Sequence, residues 1–190
     1  MILTDREISI ALERKLIQID PPPDRDVAFS STAVDLTLDS TITTFKDNVQ
    51  GIEKIIDPTN ANVSELLVEL TTSQKISAGG YNLPPKLLIL AWTKEYVSLD
   101  IGTRIAARVE GKSSLARLGL AVHVTAPTIH AGFSGQIQLE MVNHGNVPIR
   151  LRPGMRICQL IFETTLGTPD RGYRGQFSGQ TAKTKTKKAA

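Results

Sequence analysis

The stretch EGKSSLARLGL, residues 110–120, gathers Lys112, the hydroxyls of Ser113 and Ser114, and Arg117 within six residues. Cations and hydroxyls at that density suit an anion, because charge-assisted hydrogen bonds to phosphate oxygens are short and strong. Gly-Lys-Ser is also the tail of the phosphate-binding P-loop, G-x-x-x-x-G-K-[ST]. With Gly111 as the second glycine, the first should be residue 106, which is alanine. That glycine lets backbone N–H groups wrap closely around phosphate, and Ala106 is a poor substitute. A Walker-type nucleotidase is therefore disfavoured. Two readings of the stretch stand: an anion holder of another geometry, or a surface turn whose serines bond their own backbone.

A second group lies in GQIQLEMVNHG, residues 135–145. Strand alternation puts Ile137, Leu139 and Met141 on one face and Gln136, Gln138 and Glu140 on the other. Glu140 is either a solvated strand residue or a carboxylate aimed at a ligand. A cavity lined by Glu140 and the 110–120 stretch would combine a proton shuttle with an anion holder. That pairing suits an enzyme acting on a phosphorylated small molecule.

The elements that must position these groups are mostly extended. Thr4-x-x-Glu7 is a capping box, and Ile8, Leu12 and Leu16 follow at helical spacing, which predicts a short helix over about residues 4–16. Pro21-Pro22-Pro23 stops regular structure. AVDLTLDSTITTF (33–45) alternates with Val34, Leu36, Leu38 and Ile42 nearly in phase, and reads as a strand or strand pair. Residues 46–65 are polar and read as a loop or excursion. Further β-like stretches are SELLVELT, KLLILAWTKEYVSLD, TRIAARVEG, LAVHVTA, GQIQLEMVNHG and MRICQLIFETT, separated by turn signals such as Gly79-Gly80 and Pro153-Gly154. Many short strands with one clear helix predict a mainly β body, a barrel or jelly-roll-like fold, without internal repeats. From about residue 167 the chain turns Gly-, Thr- and Lys-rich, yet Tyr173 and Phe177 remain inside it as anchors.

Bulk properties narrow the partners. With 190 residues, 41% hydrophobic and 22% charged, the chain fits one ordinary globular domain. The net charge of +3 owes to Lys183, Lys185, Lys187 and Lys188, and without them the body is close to neutral. Nucleic-acid binding is therefore not expected, and the lysines read as a basic, disordered tail over 183–190. The N-terminal MILTDREISIALERKL mixes acids and bases throughout and is expected not to be a signal peptide. No apolar run approaches a membrane span. The single Cys158 fits a reducing cytoplasm, and one cysteine with three histidines assembles neither a Cys₄ nor a Cys₂His₂ zinc site.

The run EGKSSLARLGLAVHVTAPTIHAGFSGQIQLE, followed by LRPGMRICQLIFE and YRGQFSGQ, closely resembles the dCTP deaminase family of the dUTPase-like superfamily. DREISIAL and STAVDLTL resemble that family's N-terminal segments, so the resemblance covers essentially the whole chain. It implies a dUTPase-like distorted β-barrel over 1–166 with a short N-terminal helix. A flexible C-terminal lid would follow over 167–182, in a homotrimer with active sites at subunit interfaces. The implied activity is metal-free deamination of dCTP to dUTP and ammonia, in pyrimidine deoxynucleotide synthesis. Glu140 would be the general base and acid, Ser113 and the Ala126 carbonyl would hold the attacking water, and Arg117 would sit close to both. The stretch Lys112, Ser113, Ser114, Leu115, Ala116, Arg117 would contact the triphosphate, which would arrive with Mg²⁺ rather than use protein metal ligands. Gln138, Leu139 and Gln159 would line the base and sugar, and Tyr173, Gln176 and Gln180 match the motif that folds over bound nucleotide. Zinc deaminases instead carry an H-x-E…P-C-x-x-C signature, absent here.

One position departs from the family pattern. Ile129-His130-Ala131-Gly132-Phe133 stands where relatives commonly read I-D-x-G-[FWY]. In dUTPases and bifunctional relatives that aspartate contacts the sugar 3′-hydroxyl and helps position the water attacking phosphate. His130 could bond a sugar hydroxyl but is a poorer holder of hydrolytic water. The expectation is therefore a deaminase releasing dUTP. A bifunctional deaminase and diphosphatase or a dUTPase is the alternative, followed by a non-catalytic nucleotide-binding relative.

Overall fold

A computed structural model of the chain describes residues 1–46, 56–57, 59, 62–173, 175 and 179–182. Most of the polar 46–61 stretch, Gln176, Phe177 and the lysine tail lie outside the described residues.

The first helix, α1 (Asp5–Glu13), starts where the capping box put it: the Glu7 carboxylate accepts from Thr4 N–H at 2.9 Å. It is shorter than the expected 4–16, because Lys15 adopts a left-handed φ of 58° and turns the chain away. Ile8 and Ala11 are its buried residues facing the core. The chain continues through β1 (Ile17–Asp20), α2 (Arg25–Ala28), β2 (Phe29–Ser30) and β3 (Ala33–Phe45). After the excursion come α3 (Val63–Leu70), β4 (Thr71–Lys75), β5 (Tyr81–Leu83), β6 (Leu88–Leu99) and β7 (Ile105–Gly111). The remainder is α4 (Ser113–Ala116), β8 (Leu120–Ala121), β9 (Thr128–Ile129), β10 (Ser134–Asn143), β11 (Ile149–Leu151) and β12 (Arg156–Thr164).

Ten strands form one sheet in the order β8-β10-β6-β3-β12-β7-β9, with β1, β2 and β4 pairing off that path; β5 and β11 form a separate two-stranded ribbon. Every named pairing is antiparallel. The sheet must curl: β7 and β8 lie near opposite ends of the order yet are joined only by residues 112–119. Laid flat, five strand steps of about 4.8 Å would part them by about 24 Å, whereas a link whose Ser113–Ala116 form a helical turn reaches only about 20 Å. The mainly β, curled body expected from the strand pattern is therefore what forms. Its inner face is one hydrophobic cluster that includes Ile8, Ile17, Leu36, Leu139 and Phe162. Val34, Leu36, Leu38 and Ile42 of β3 are fully buried, as their phase required.

Two stretches read as strands fold otherwise. SELLVELT is mostly helix α3, because Asn62 Oδ1 caps Ser64 N–H at 3.1 Å and the Leu/Glu-rich run lacks the polar alternation of a half-buried strand. LAVHVTA is strand only at Leu120–Ala121; thereafter it leaves β10 and loops over it. No helix among the described residues is long and apolar enough to cross a membrane.

The α4–β8 link depends on a close backbone approach. Gly119 has φ +93°, its carbonyl accepts from His144 N–H at 2.7 Å, and a Cβ there would meet Gly145 N at 2.5 Å. Gly119→Ala is expected to destabilise the protein by about 2 kcal/mol or more, through both clash and strain. Urea unfolding checks this, and an unshifted midpoint would refute the close approach.

Candidate active site

Strand β10 supplies the carboxylate. Ile137, Leu139 and Met141 are almost fully buried, so period-two alternation turns Gln136, Gln138 and Glu140 to the other face, where each is half-buried. Glu140 pairs opposite Leu90 of β6, and Val142 and Asn143 pair with Ala121 and Leu120 of β8. Beside this ladder, residues 122–127 return across the sheet, fastened where Val109 N–H donates to Pro127 O at 2.8 Å. The return brings His123 and Val124 against Glu140.

Burial pushes the Glu140 carboxyl above the ordinary carboxylate value, partly offset by the N–H groups of Glu140 and Val124 and by the charge of His123. His123 Nδ1 is itself buried with no hydrogen-bond partner among the described residues. A half-buried carboxyl that holds its proton more tightly than usual, beside an unpaired ring nitrogen, suits a group that takes and returns protons. His123 escaped sequence reasoning because its nearness to Glu140 depends on the 122–127 loop, which read as strand.

The candidate anion-holding residues form a separate group. The short α4 follows β7 directly, and Leu115 and Ala116 N–H donate to Lys112 O at 3.0 and 2.9 Å. Ser113, Ser114, Ala116 and Arg117 are exposed, while Leu115 packs against the core. Lys112 is turned back into the sheet, where its Nζ ion-pairs with Asp35. Gln159 sits between Asp35 and Glu110 in the cross-strand pairing. Ala126 is exposed, and the Leu139 side chain lies in the core, so only the backbone of Leu139 is on offer to a ligand. Among the described residues, no hydrogen bond or ion pair joins Glu140 to Ser113 or Arg117 within the chain. The carboxylate and the cation- and hydroxyl-rich turn are thus two separate candidate groups, carried by β10 and by the end of β7.

The C-terminal segment lies along β10. Gly179 N–H donates to Ser134 O at 2.8 Å and Gln136 N–H to Gln180 O at 2.9 Å. Gln180 Nε2 donates to Gln136 O at 3.2 Å, and Ala182 N–H to Gln136 Oε1 at 2.7 Å. Tyr173 N–H donates to Ala131 O at 3.2 Å, and its ring stacks on His130 at 5.6 Å between centroids with 13° between planes. Phe133 meets the other flank of Tyr173 in a tilted contact. Tyr173 and Gln180 therefore gather at the Ser134–Gln136 end of β10, further along the strand from Glu140, and exposed His130 is engaged with Tyr173. Gln136, used from its backbone and both ends of its amide, also went unread: its partners Thr93 and Ala182 are distant in sequence.

The curled β body thus presents a carboxyl with a raised proton affinity and, apart from it, a cation- and hydroxyl-rich turn. The sequence profile of the dCTP deaminase-like family matches residues 2–165. A protein from Sulfurihydrogenibium sp. named "dCTP deaminase, dUMP-forming" is 36% identical over 95% of this chain and 93% of its own. One from Shewanella amazonensis named "dCTP deaminase" is 41% identical over 91% and 88%. The crystal structure of 2′-deoxycytidine 5′-triphosphate deaminase from Agrobacterium tumefaciens superposes with a TM-score of 0.66 at 22% identity. The match covers 86% of this chain and 48% of that one, so the chain spans about half the solved protein. The chain belongs to the dCTP deaminase-like family.

The raised Glu140 carboxyl has a consequence for stability. A folded-state value above the unfolded one stabilises the fold below the unfolded value, and that contribution is lost as pH rises through the folded value. Glu140→Gln removes the penalty, so the variant should melt higher than the parent at neutral pH. The gap should close below the ordinary value of 4.5. Paired melting curves across this range check the sign, and a variant less stable at pH 7 would contradict it.

Proposed function

We propose that the protein deaminates the cytosine base of dCTP by hydrolysis, releasing dUTP and ammonia. The observation that carries this reading is Glu140: half-buried on β10, shifted towards its protonated form, and beside the loop that carries Ala126. In the proposed reaction, Glu140 takes one proton from water while the oxygen bonds to C4, and passes that proton to N3. It then takes the proton of the new C4 hydroxyl and delivers it to the amino group. The C4–N bond breaks, ammonia leaves, and C4=O remains. Such shuttling by one positioned carboxyl contributes on the order of 10²–10⁴ in rate.

The remaining roles are those that the resemblance to the family implies. Ser113 and the Ala126 carbonyl hold the attacking water, and Arg117 offsets charge as it develops. The Ser113 and Ser114 hydroxyls and the 115–117 backbone meet the triphosphate, which we propose arrives carrying Mg²⁺ on its own oxygens. Gln138, the Leu139 backbone and Gln159 face base and sugar, and Tyr173, Gln176 and Gln180 close over them. The separation of the two candidate groups within one chain supports completion by a second copy, in a homotrimer whose sites straddle interfaces. The relatives named "dUMP-forming" favour a second reading, in which dUTP is hydrolysed on to dUMP. The engagement of His130 with Tyr173 at the aspartate position supports dUTP as the product.

Incubation with dCTP, CTP and dUTP in the presence of Mg²⁺, reading ammonia and pyrophosphate separately, tests both readings. Ammonia from dCTP without pyrophosphate is the expected result; pyrophosphate from dCTP or dUTP would establish the bifunctional one. Glu140→Gln should cut ammonia release by roughly 10³-fold or more, with dCTP binding kept within a few-fold. Substantial residual deamination by pure variant would remove Glu140 from its role.

A further inference from the structure

Asp35 of β3 is 8% exposed, and a carboxylate so far out of water is costly to hold ionised unless it is paired. Two cations reach it: Lys112 Nζ at 2.5 Å and, more loosely, Arg156 Nη1 at 3.6 Å. Arg156 also donates to Val27 O, and its side chain is 46% exposed against 23% for Lys112. Lys112 is therefore the principal partner of the buried charge. The pairing follows from register: Asp35 lies opposite Gln159, Gln159 opposite Glu110, and Lys112 is two residues beyond Glu110 on the same side of β7. Lys112 is thus fixed at two points, its ammonium on Asp35 and its carbonyl under the N–H groups of Leu115 and Ala116.

We propose that Asp35 is a positioning residue: it anchors Lys112, and through Lys112 holds Ser113 and Ser114 in place, so that Lys112 braces the phosphate turn instead of binding phosphate. This rests on the nucleotide reading above. Releasing Lys112 to a triphosphate would leave Asp35 buried with only the longer Arg156 contact. The anion is met instead by Ser113, Ser114 and Arg117, which are exposed and whose side chains make no hydrogen bond or ion pair among the described residues.

The sign of one substitution decides the matter. Calorimetry with inorganic tripolyphosphate should show roughly tenfold weaker binding for Asp35→Asn and for Lys112→Met, since each releases the same brace. Lys112→Arg, which can still reach Asp35, should stay within about threefold of the parent. Tighter binding by Asp35→Asn would mean that it frees a phosphate-binding lysine, and would overturn the proposal. A second measurement needs no variant: amine labelling of the parent protein, read by mass spectrometry. Lys112 should react roughly fivefold or more slowly than exposed Lys94, and equally with or without tripolyphosphate. Fast labelling that tripolyphosphate suppresses would overturn the anchoring. A parent protein that binds neither tripolyphosphate nor dCTP would overturn the nucleotide reading and this inference with it; binding by the parent with Asp35→Asn unchanged would overturn the inference alone.

Discussion

The antiparallel pairing of β10 with β6 constrains everything that makes the site. Ile137, Leu139 and Met141 must face the core, and a shift of one residue would exchange them with Gln136, Gln138 and Glu140. The ladder absorbs an irregularity between Gln136 and Gln138, opposite residues 93–95 of β6. There Thr93 Oγ1 accepts from Ile137 N–H at 3.0 Å, and Gln136 Nε2 donates to Thr93 O at 2.8 Å. The bulged strand turns Glu95 inward, where its carboxylate accepts from Thr37 N–H at 2.9 Å and Thr37 Oγ1 at 2.6 Å. A buried carboxylate thus locks the irregularity that keeps β10 in phase.

From that strand the other parts are placed in turn. Its far end pairs with β8, whose departure carries His123 over Glu140; its near end receives the C-terminal segment along Ser134 and Gln136. Glycines at two points permit the approach: a Cβ on Gly132 would meet Tyr173 N at 2.9 Å, and one on Gly135 would meet Gln180 O at 3.0 Å. The raised carboxyl and the C-terminal segment therefore share one scaffold strand. Rigid elements of this kind hold reacting groups better than loops do.

Charge is handled in two opposite ways. Asp35, Lys112 and Arg156 satisfy one another in the sheet, so the start of the Lys112–Arg117 turn is electrostatically settled. Among the described residues Glu140 forms no salt bridge, and it lies near His123, whose Nδ1 has no hydrogen-bond partner there. A carboxyl held by backbone N–H groups but unpaired with a cation is costly to ionise, which is how many titrating sites differ from the core around them.

The curled β body, the α1 cap and the faces of β3 and β10 were legible in the sequence, because period-two burial and a Thr4–Glu7 capping box are local signals. Resemblance to the family likewise named Glu140, Ser113 and Arg117 before any geometry. Local patterns failed at SELLVELT, where the Asn62 cap outweighed an apolar run, and at LAVHVTA, where the chain leaves the sheet after two residues. They were silent on Asp35, Gln136 and His123, whose partners lie across strands or along a returning loop. By itself the sequence determined which residues of β3 and β10 face in and which family the chain belongs to. Only the tertiary structure decided that Lys112 is committed to Asp35, His130 to Tyr173, and Glu140 to a raised affinity for its proton. Those outcomes depend on burial and long-range register, and neither is a property of neighbouring residues.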